Sequence, residues 1–435
     1  LLDFAGPVQT WIRDLTGLSY GAYWFFEIRS LGGAIIMMSL VLYPYVYLLA
    51  RAAFLEQSVS SIEVGCSLGY SRWQALWKLA LPMARPAIIA GLSLALMETL
   101  ADYGTVQYYG VSTFTTGIFR TFYGYGDTAA AAQLAASLLA FVILLVLLER
   151  YSRRRARYHS AAESRARADL IPLSGSKAIM ACVICLSPLM FGFIIPATQL
   201  LFWAVFEAEP LGWDFVGLAW NSFSLAFLAA IIAVILAIIL SYAKRTKPIK
   251  PVRTVLAMAG FGYALPGTII AIGVLIPLAW LDHRLIDIFG SLGWDSPGLL
   301  LSGSLVALLF AYTVRFLAVA LGSVQSGLEK IKPSLDHVGR SMGHSPLDIL
   351  RKIHVPLMRS SILTAVLIVF VDVLKELPAT LILRPFNFNT MAVRAYELAS
   401  DERLVDAAPA SIMIVLVGLI PVLMLHASIA RRRPH

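Results

Sequence analysis

Charge is scarce in this chain. Only 14% of its 435 residues are Asp, Glu, Lys or Arg, against 59% hydrophobic, and mean hydropathy is +0.76. That balance excludes a single water-soluble core of ordinary composition. Cysteine is scarcer still, with three in the chain, too few for a disulfide framework. Cys182 and Cys185 form C-x-x-C inside an apolar run, but no second pair completes four metal ligands, so they read as small side chains in the membrane. Cys66 falls in a polar stretch and is expected to be a reduced thiol. No G-x-x-x-x-G-K-[ST] phosphate loop occurs, so the chain does not hold a nucleotide by that device. No ten-residue run alternates polar with apolar, which argues against a β-barrel. His283, His344, His354 and His426 show no metal-ligand spacing and are read as structural; no metal site is assigned.

What the chain does have is apolar length. About 20 residues of helix cross a ~30 Å hydrocarbon layer. Runs at about 31–50, 87–106, 130–148, 178–204, 220–243, 254–280, 299–321, 361–382 and 409–430 meet that length. The expected fold is an all-α polytopic membrane bundle of about nine transmembrane helices. The net charge of +9 is unevenly placed. Arginine and lysine crowd "ERYSRRRARYHSAAESRARAD" (Glu149 to Asp169), "KRTKPIKPVR" (Lys244 to Arg253) and the terminal "RRRPH", whereas "EAEPLGWD" (Glu207 to Asp214), on the opposite parity, has no Lys or Arg. Positive residues stay on the side of insertion, so the basic segments are cytoplasmic. The same placement makes the arginine run a topology-setting linker, not a nucleic-acid surface.

The chain also repeats itself. "EVGCSLGYSRWQALWKLALPMARPAII" (Glu63 to Ile89) aligns without gaps to "HVGRSMGHSPLDILRKIHVPLMRSSIL" (His337 to Leu363), 274 positions on. Val64, Gly65, Ser67, Gly69, Ser71, Lys78, Pro82, Arg85 and Ile88 recur at that offset, where chance would give about two matches. Fainter echoes join Thr116 to Thr390, Arg120 to Arg394, Asp127 to Asp401 and Ser137 to Ser411. The expected organisation is three spans of a first repeat (1–148, with a polar loop at 56–86), a basic linker (149–177), and a six-span second repeat (178–435, with its loop at 323–360). The offset puts counterparts of the second repeat's first three spans before Leu1, so the first repeat is expected to be N-terminally truncated. Both loops fall on one side, which makes the repeats parallel.

Gly69 reads as a turn between two short helices, because glycine takes the left-handed conformation without a steric penalty. Beyond it, Trp73, Leu76, Trp77 and Ala80 recur at helical spacing up to Pro82. A membrane-surface helix would need only amphipathicity. The shared glycine-to-proline spacing of 13 in both copies favours docking into a partner.

These residues resemble the E-A-A, three residues, G, nine residues, I-x-L-P signature of the integral-membrane subunits of bacterial ATP-binding-cassette importers. Glu63, Gly69, Leu79, Leu81 and Pro82 match in the first copy, and Gly343, Ile353, Val355 and Pro356 in the second. Val64 and Gly65, then Val338 and Gly339, replace the alanines, and His337 stands where glutamate is expected. The second loop is therefore expected to couple less strongly. The resemblance implies that each loop docks into one of two copies of a separate ATPase subunit, which binds the ATP; this chain is a transport subunit, not an enzyme, with no stably bound cofactor.

The passages Met97 to Ala135 and Asp372 to Thr390 resemble the ferric-iron permeases of that class, which implies a periplasmic iron-binding protein as a further partner. Thiamine or another small solute is the alternative cargo; an ion-coupled secondary transporter would not need the paired loops. From the residues alone, Glu98 and Asp102 lie four apart near the outer end of a span, and Asp372 and Glu376 repeat them. Carboxylates at membrane depth are costly unless they meet water, a partner or a cation, and hard cations take oxygen ligands. These four are candidates for a substrate pathway, or else polar residues at the interface, with Lys375 placed to neutralise the second pair. Arg120 and Arg394 occupy equivalent outer segments and either pair with these acids, meet an anionic partner surface, or are simply solvated. Pro266 is expected to interrupt its span.

Overall fold

The computed structural model describes residues 1–19, 21–56, 65–154, 173–210, 212–296 and 298–430. Among these residues every regular element is a helix. Two compact units are distinguishable, residues 1–117 with 136–199, and residues 118–135 with 200–435. Their borders do not follow the sequence repeat.

The first unit begins with the amphipathic helix α1 (Pro7–Thr16). Next come α2 (Leu31–Glu56) and α3 (Arg72–Ala101), which pack closely along their length. Their approach depends on Gly91, where a Cβ would stand 2.7 Å from Cα of Val46 and 2.9 Å from the Tyr45 carbonyl oxygen. Without a hydrophobic drive between helices in lipid, such backbone proximity is the source of their attraction. The apolar helices α4 (Thr128–Arg154) and α5 (Ser176–Glu207) each run from one unit into the other.

The second unit holds the larger core. Helices α6 (Trp213–Thr246), α9 (Leu305–Glu329) and α11 (Arg359–Leu374) pack mutually; α7 (Lys250–Ala259), α8 (Gly267–Ser291) and α10 (Ser334–Ser341) lie between them in the chain. On α6, Ala226, Ala229, Ala230, Ala233 and Ala237 form a buried stripe at helical spacing. Small side chains there let α9 and α11 come close. Buried Asp282 of α8 accepts from the Leu301 and Ser302 amides at 2.9 and 2.7 Å, fixing the approach to α9. After α11 come α12 (Pro378–Leu383), α13 (Met391–Ser400) and α14 (Leu404–Ala430).

Seven helices among the described residues are long and apolar enough to cross a membrane: α2 to α6, α8 and α9. Pro346–Leu357 and α11 reach that length and apolarity only as a pair, and they are turned by 77° to one another. At the last expected span lies α14, Leu404–Ala430, 27 residues long. The expected run at 254–280 is split. Gly262–Ala264 form a tight 3-10 turn and Pro266 takes extended backbone (φ −51, ψ 140) as the N-cap of α8. Proline thus starts a helix here, where its missing N–H costs nothing. The run at 361–382 likewise stops at Leu374, and the run at 87–106 begins at Arg72 and stops at Ala101.

Gly91→Val is expected to destabilise the first unit by about 1–3 kcal/mol through overpacking. The measurement is the thermal midpoint in detergent. Gly273→Ala on α8, with open space where its Cβ would sit, is expected to leave it unchanged.

Candidate functional site

The two repeated loops fold alike. Gly69 and Gly343 have φ of +88 and +80. Around the first, Tyr70 N–H donates to the Gly65 carbonyl and Gly69 N–H to that of Cys66. Around the second, His344 donates to Gly339 and Gly343 to Arg340. This is the glycine-closed helix end that the sequence predicts. Two residues on, Ser71 and Ser345 cap the next helix, each within a capping box completed by Gln74 or Asp348. A five-residue π-turn follows in each copy, Leu76–Ala80 and Leu350–His354. Pro82 and Pro356 explain it. A proline cannot donate to the carbonyl four residues back and its ring crowds that carbonyl, so the preceding turn widens.

The glycines that replace the motif's second alanine also have a packing reason. A Cβ on Gly65 would lie 2.8 Å from Leu79 Cδ1 and 3.0 Å from Ala75 Cβ; one on Gly339 would lie 2.9 Å from Ile349 Cγ1. Motif residues Leu79 and Ile353 are thus half-buried against the preceding helix, as are Leu81 and Val355 at the following turn, while Pro82 and Pro356 are exposed. Glu63 lies outside the described residues. The single apolar face read from Trp73, Leu76, Trp77 and Ala80 is divided. Ala80 is buried, whereas Trp73 and Trp77 are 67% and 55% exposed and meet edge to face at 5.9 Å. The widened turn shifts the helical phase between them.

The second loop is tied down by groups the motif does not predict. Arg245, at the end of α6, donates through Nε and Nη2 to Asp336 Oδ2 at 2.9 and 2.6 Å and to the carbonyls of Leu328 and Ile331. His354, fully buried, places Nε2 3.0 Å from Asp336 Oδ1, without the alignment of a hydrogen bond. Burial holds this imidazole below its ordinary range, against the pull of Asp336, and Arg245 adds to the lowering. Asp348 is held low by the Ser345 hydroxyl and then by Lys352.

The four pathway candidates occupy two unlike settings, and neither pair shares one continuous helical face. Asp102 has left α3 for extended backbone (ψ 137), and its carboxylate accepts from Val106 N–H at 3.1 Å and the Thr105 hydroxyl at 3.0 Å, capping the short helix Gly104–Tyr108. Glu98 is half-buried one turn earlier. In the second pair, Asp372 takes Lys375 at 3.0 Å. Glu376 lies beyond the end of α11 and pairs with Arg315 of α9 at 2.9 Å, while accepting from Ala379 N–H at 3.1 Å. Lys375 therefore neutralises one member of that pair and Arg315 the other.

Arg120 sits in the π-turn Arg120–Gly124, and Arg394 on α13; both are exposed. Arg394 lines a cavity of about 520 Å³ with Glu209, Asp214, Asn389, Arg403 and Asp406. Sequence reasoning did not single out Arg245, Asp336 or Arg315. Arg315 carried a usable signal, a lone arginine within "LLFAYTVRFLAVALG".

Asp336→Asn leaves Arg245 mostly buried without its countercharge, a loss on the order of 3 kcal/mol. Amide exchange over Ser334–Ser341 is expected to rise by roughly two orders of magnitude, read by mass spectrometry; unchanged exchange would separate the loop from this anchor. The same amides report on pH. His354 has its folded-state value below the ordinary 6.5, so the unfolded loop binds more protons below that pH, and stability falls as pH is lowered from about 8 to 5.5.

Residues 18–158 match the family described as "Binding-protein-dependent transport system inner membrane component". The Fe(3+)-transport system permease protein FbpB 2 of Haemophilus influenzae is 26% identical over 92% of this chain and 77% of its own length. The ferric transport system permease protein FbpB of Actinobacillus pleuropneumoniae is 22% identical over 88% of this chain and 57% of its own. A crystal structure of a bacterial ABC transporter involved in the import of the acidic polysaccharide alginate covers 59% of this chain and 96% of its own at 13% identity and TM-score 0.42, a likeness too distant to bear on function. Residues 18–158 thus carry the inner-membrane component of binding-protein-dependent transport systems, most of the chain is similar to permeases of ABC importers, and with its apolar helices it is a multi-pass protein of the bacterial inner membrane.

Proposed function

We propose that this chain is the permease subunit of an ATP-driven importer carrying ferric iron, delivered by a periplasmic iron-binding protein, with two copies of an ATPase subunit docked on the loops at 56–86 and 323–360. The observation that carries the reading is the duplicated loop geometry: a left-handed glycine, a capped helix, a widened turn and a proline, twice at one offset. Both loops also present apolar side chains to solvent, Leu68, Trp73 and Trp77 in the first, Val338, Met342 and Leu347 in the second. Exposed aromatics of that kind suit the centre of a docking surface. ATP belongs to the partner. Its closure on ATP and opening on hydrolysis act through the loops by differential binding to two arrangements of the membrane helices.

Ferric iron is supported by the names of the relatives that span most of the chain. Carboxylate chemistry is compatible with it, since a hard cation takes oxygen donors. Glu98 and Asp102 are the better pathway residues, because Asp372 and Glu376 already hold Lys375 and Arg315. Arg120 and Arg394, both exposed, would suit contact with an anionic partner surface.

Two measurements test this reading. In vesicles holding the complete transporter, ATP-dependent uptake of radiolabelled iron from the binding protein is expected, and uptake of thiamine is not; the reverse would reassign the cargo. Gly69→Val forces a β-branched residue to positive φ and is expected to lower ATP-driven uptake at least about tenfold while membrane insertion is retained. Gly343→Val is expected to cost less, since the second loop departs further from the motif. Undiminished uptake in Gly69→Val would remove the docking role.

A further inference from the structure

Arg315 stands ten residues into α9, about 15 Å along its axis and so near mid-membrane. It and Glu376 are 8% and 5% exposed. Three discontinuities meet at their contact. Glu376 occupies the break after α11, its carboxylate caps α12 through Ala379 N–H, and Gly267 opens α8 against both charges. A Cβ on Gly267 would fall 2.3 Å from Arg315 Nη1 and 2.4 Å from Glu376 Oε1. Behind the pair, Tyr312 and Thr380 hydroxyls lie 2.5 Å apart, and the Thr380 hydroxyl donates to the Glu376 carbonyl at 2.6 Å.

The cluster is nevertheless incomplete. Arg315 Nε and the Thr268 hydroxyl are buried and have no partner. A buried ion pair adds little net stability over apolar packing, and its best-attested use is to select one arrangement over another. The first repeat carries the acid at the same offset, Asp102, but has Val41 in place of Arg315. The cation is thus particular to the second half.

We propose that Arg315 and Glu376 form an intramembrane latch that holds the starts of α8 and α12 against α9 in the resting permease and parts during each transport cycle. The proposal rests on the importer reading for the cycle it gates. Arg315 acts as a positioning residue: it fixes the Glu376 carboxylate, and with it the broken end of α11, which follows directly from the second loop. Parting the pair exposes two charges to a medium of low polarity, so the resting state is favoured until the loop is pushed.

The test measures ATP hydrolysis by the complete transporter in lipid nanodiscs, with and without the binding protein. Glu376→Gln, the double variant Arg315→Met with Glu376→Gln, and Gly267→Ala, which wedges the pair apart without changing charge, are each expected to raise hydrolysis without the binding protein at least about fivefold. Stimulation by the binding protein falls accordingly. A pair that only supports the fold would leave that ratio intact in the double variant, where no charge is stranded; an unaltered ratio there, or in Gly267→Ala, overturns the proposal. A second readout needs no partner. With the three native cysteines changed to serine, the fully buried Thr268→Cys thiol is expected to resist maleimide in the otherwise unaltered chain and to react in the double-variant background. Persistent protection there overturns the latch even if the importer reading itself fails for want of ATPase activity.

Discussion

A helix that stops inside a bilayer leaves amide and carbonyl groups that no water can satisfy, and this constraint shapes the second unit. α11 stops at Leu374, α8 starts at Gly267, and α12 starts at Pro378. The group that makes these interruptions tolerable is the Glu376 carboxylate, which takes the Ala379 amide and neutralises Arg315. Asp102 does the equivalent capping after α3 with an amide and a hydroxyl. The acids recognised as candidates for cargo are thus also structural caps. A carboxylate can serve both ends only where its charge is not already spent, and that separates Asp102 from Glu376.

The loops obey a different economy. Each is built from four local devices whose causes are independent: a left-handed glycine, a serine cap, a proline that widens the turn before it, and a second glycine that admits a neighbouring aliphatic side chain. Their coincidence at one offset makes duplication of a rigid object, not merely of a motif. The two copies differ in how they are held. Asp336 binds the second to Arg245 at the end of α6, with His354 buried beside it, whereas the position of His354 corresponds to Ala80 in the first.

Apolar length made most of the spans legible before any coordinates, and the glycine turns were predicted with their handedness. Four things were not. Proline was read at Pro266 as an interruption, but whether it kinks a helix or begins one depends on the 3-10 turn before it, which no periodicity encodes. Spacing of four between Glu98 and Asp102 implied a shared face, yet the backbone leaves the helix between them because the carboxylate finds a better partner ahead. Ala80 was grouped with Trp77 because helical phase was assumed constant through a turn that the following proline dilates. Arg245 and Asp336 lie 91 positions apart, and only tertiary structure joins them.

The tryptophans have a consequence for the life of the molecule. Two indoles meeting edge to face on an exposed helix start leave apolar surface uncovered among the described residues. A copy with that surface bare would be adhesive there, prone to capture by chaperones and proteases. Its lifetime in the cell would then be set less by its own stability than by how promptly a second polypeptide shields that surface.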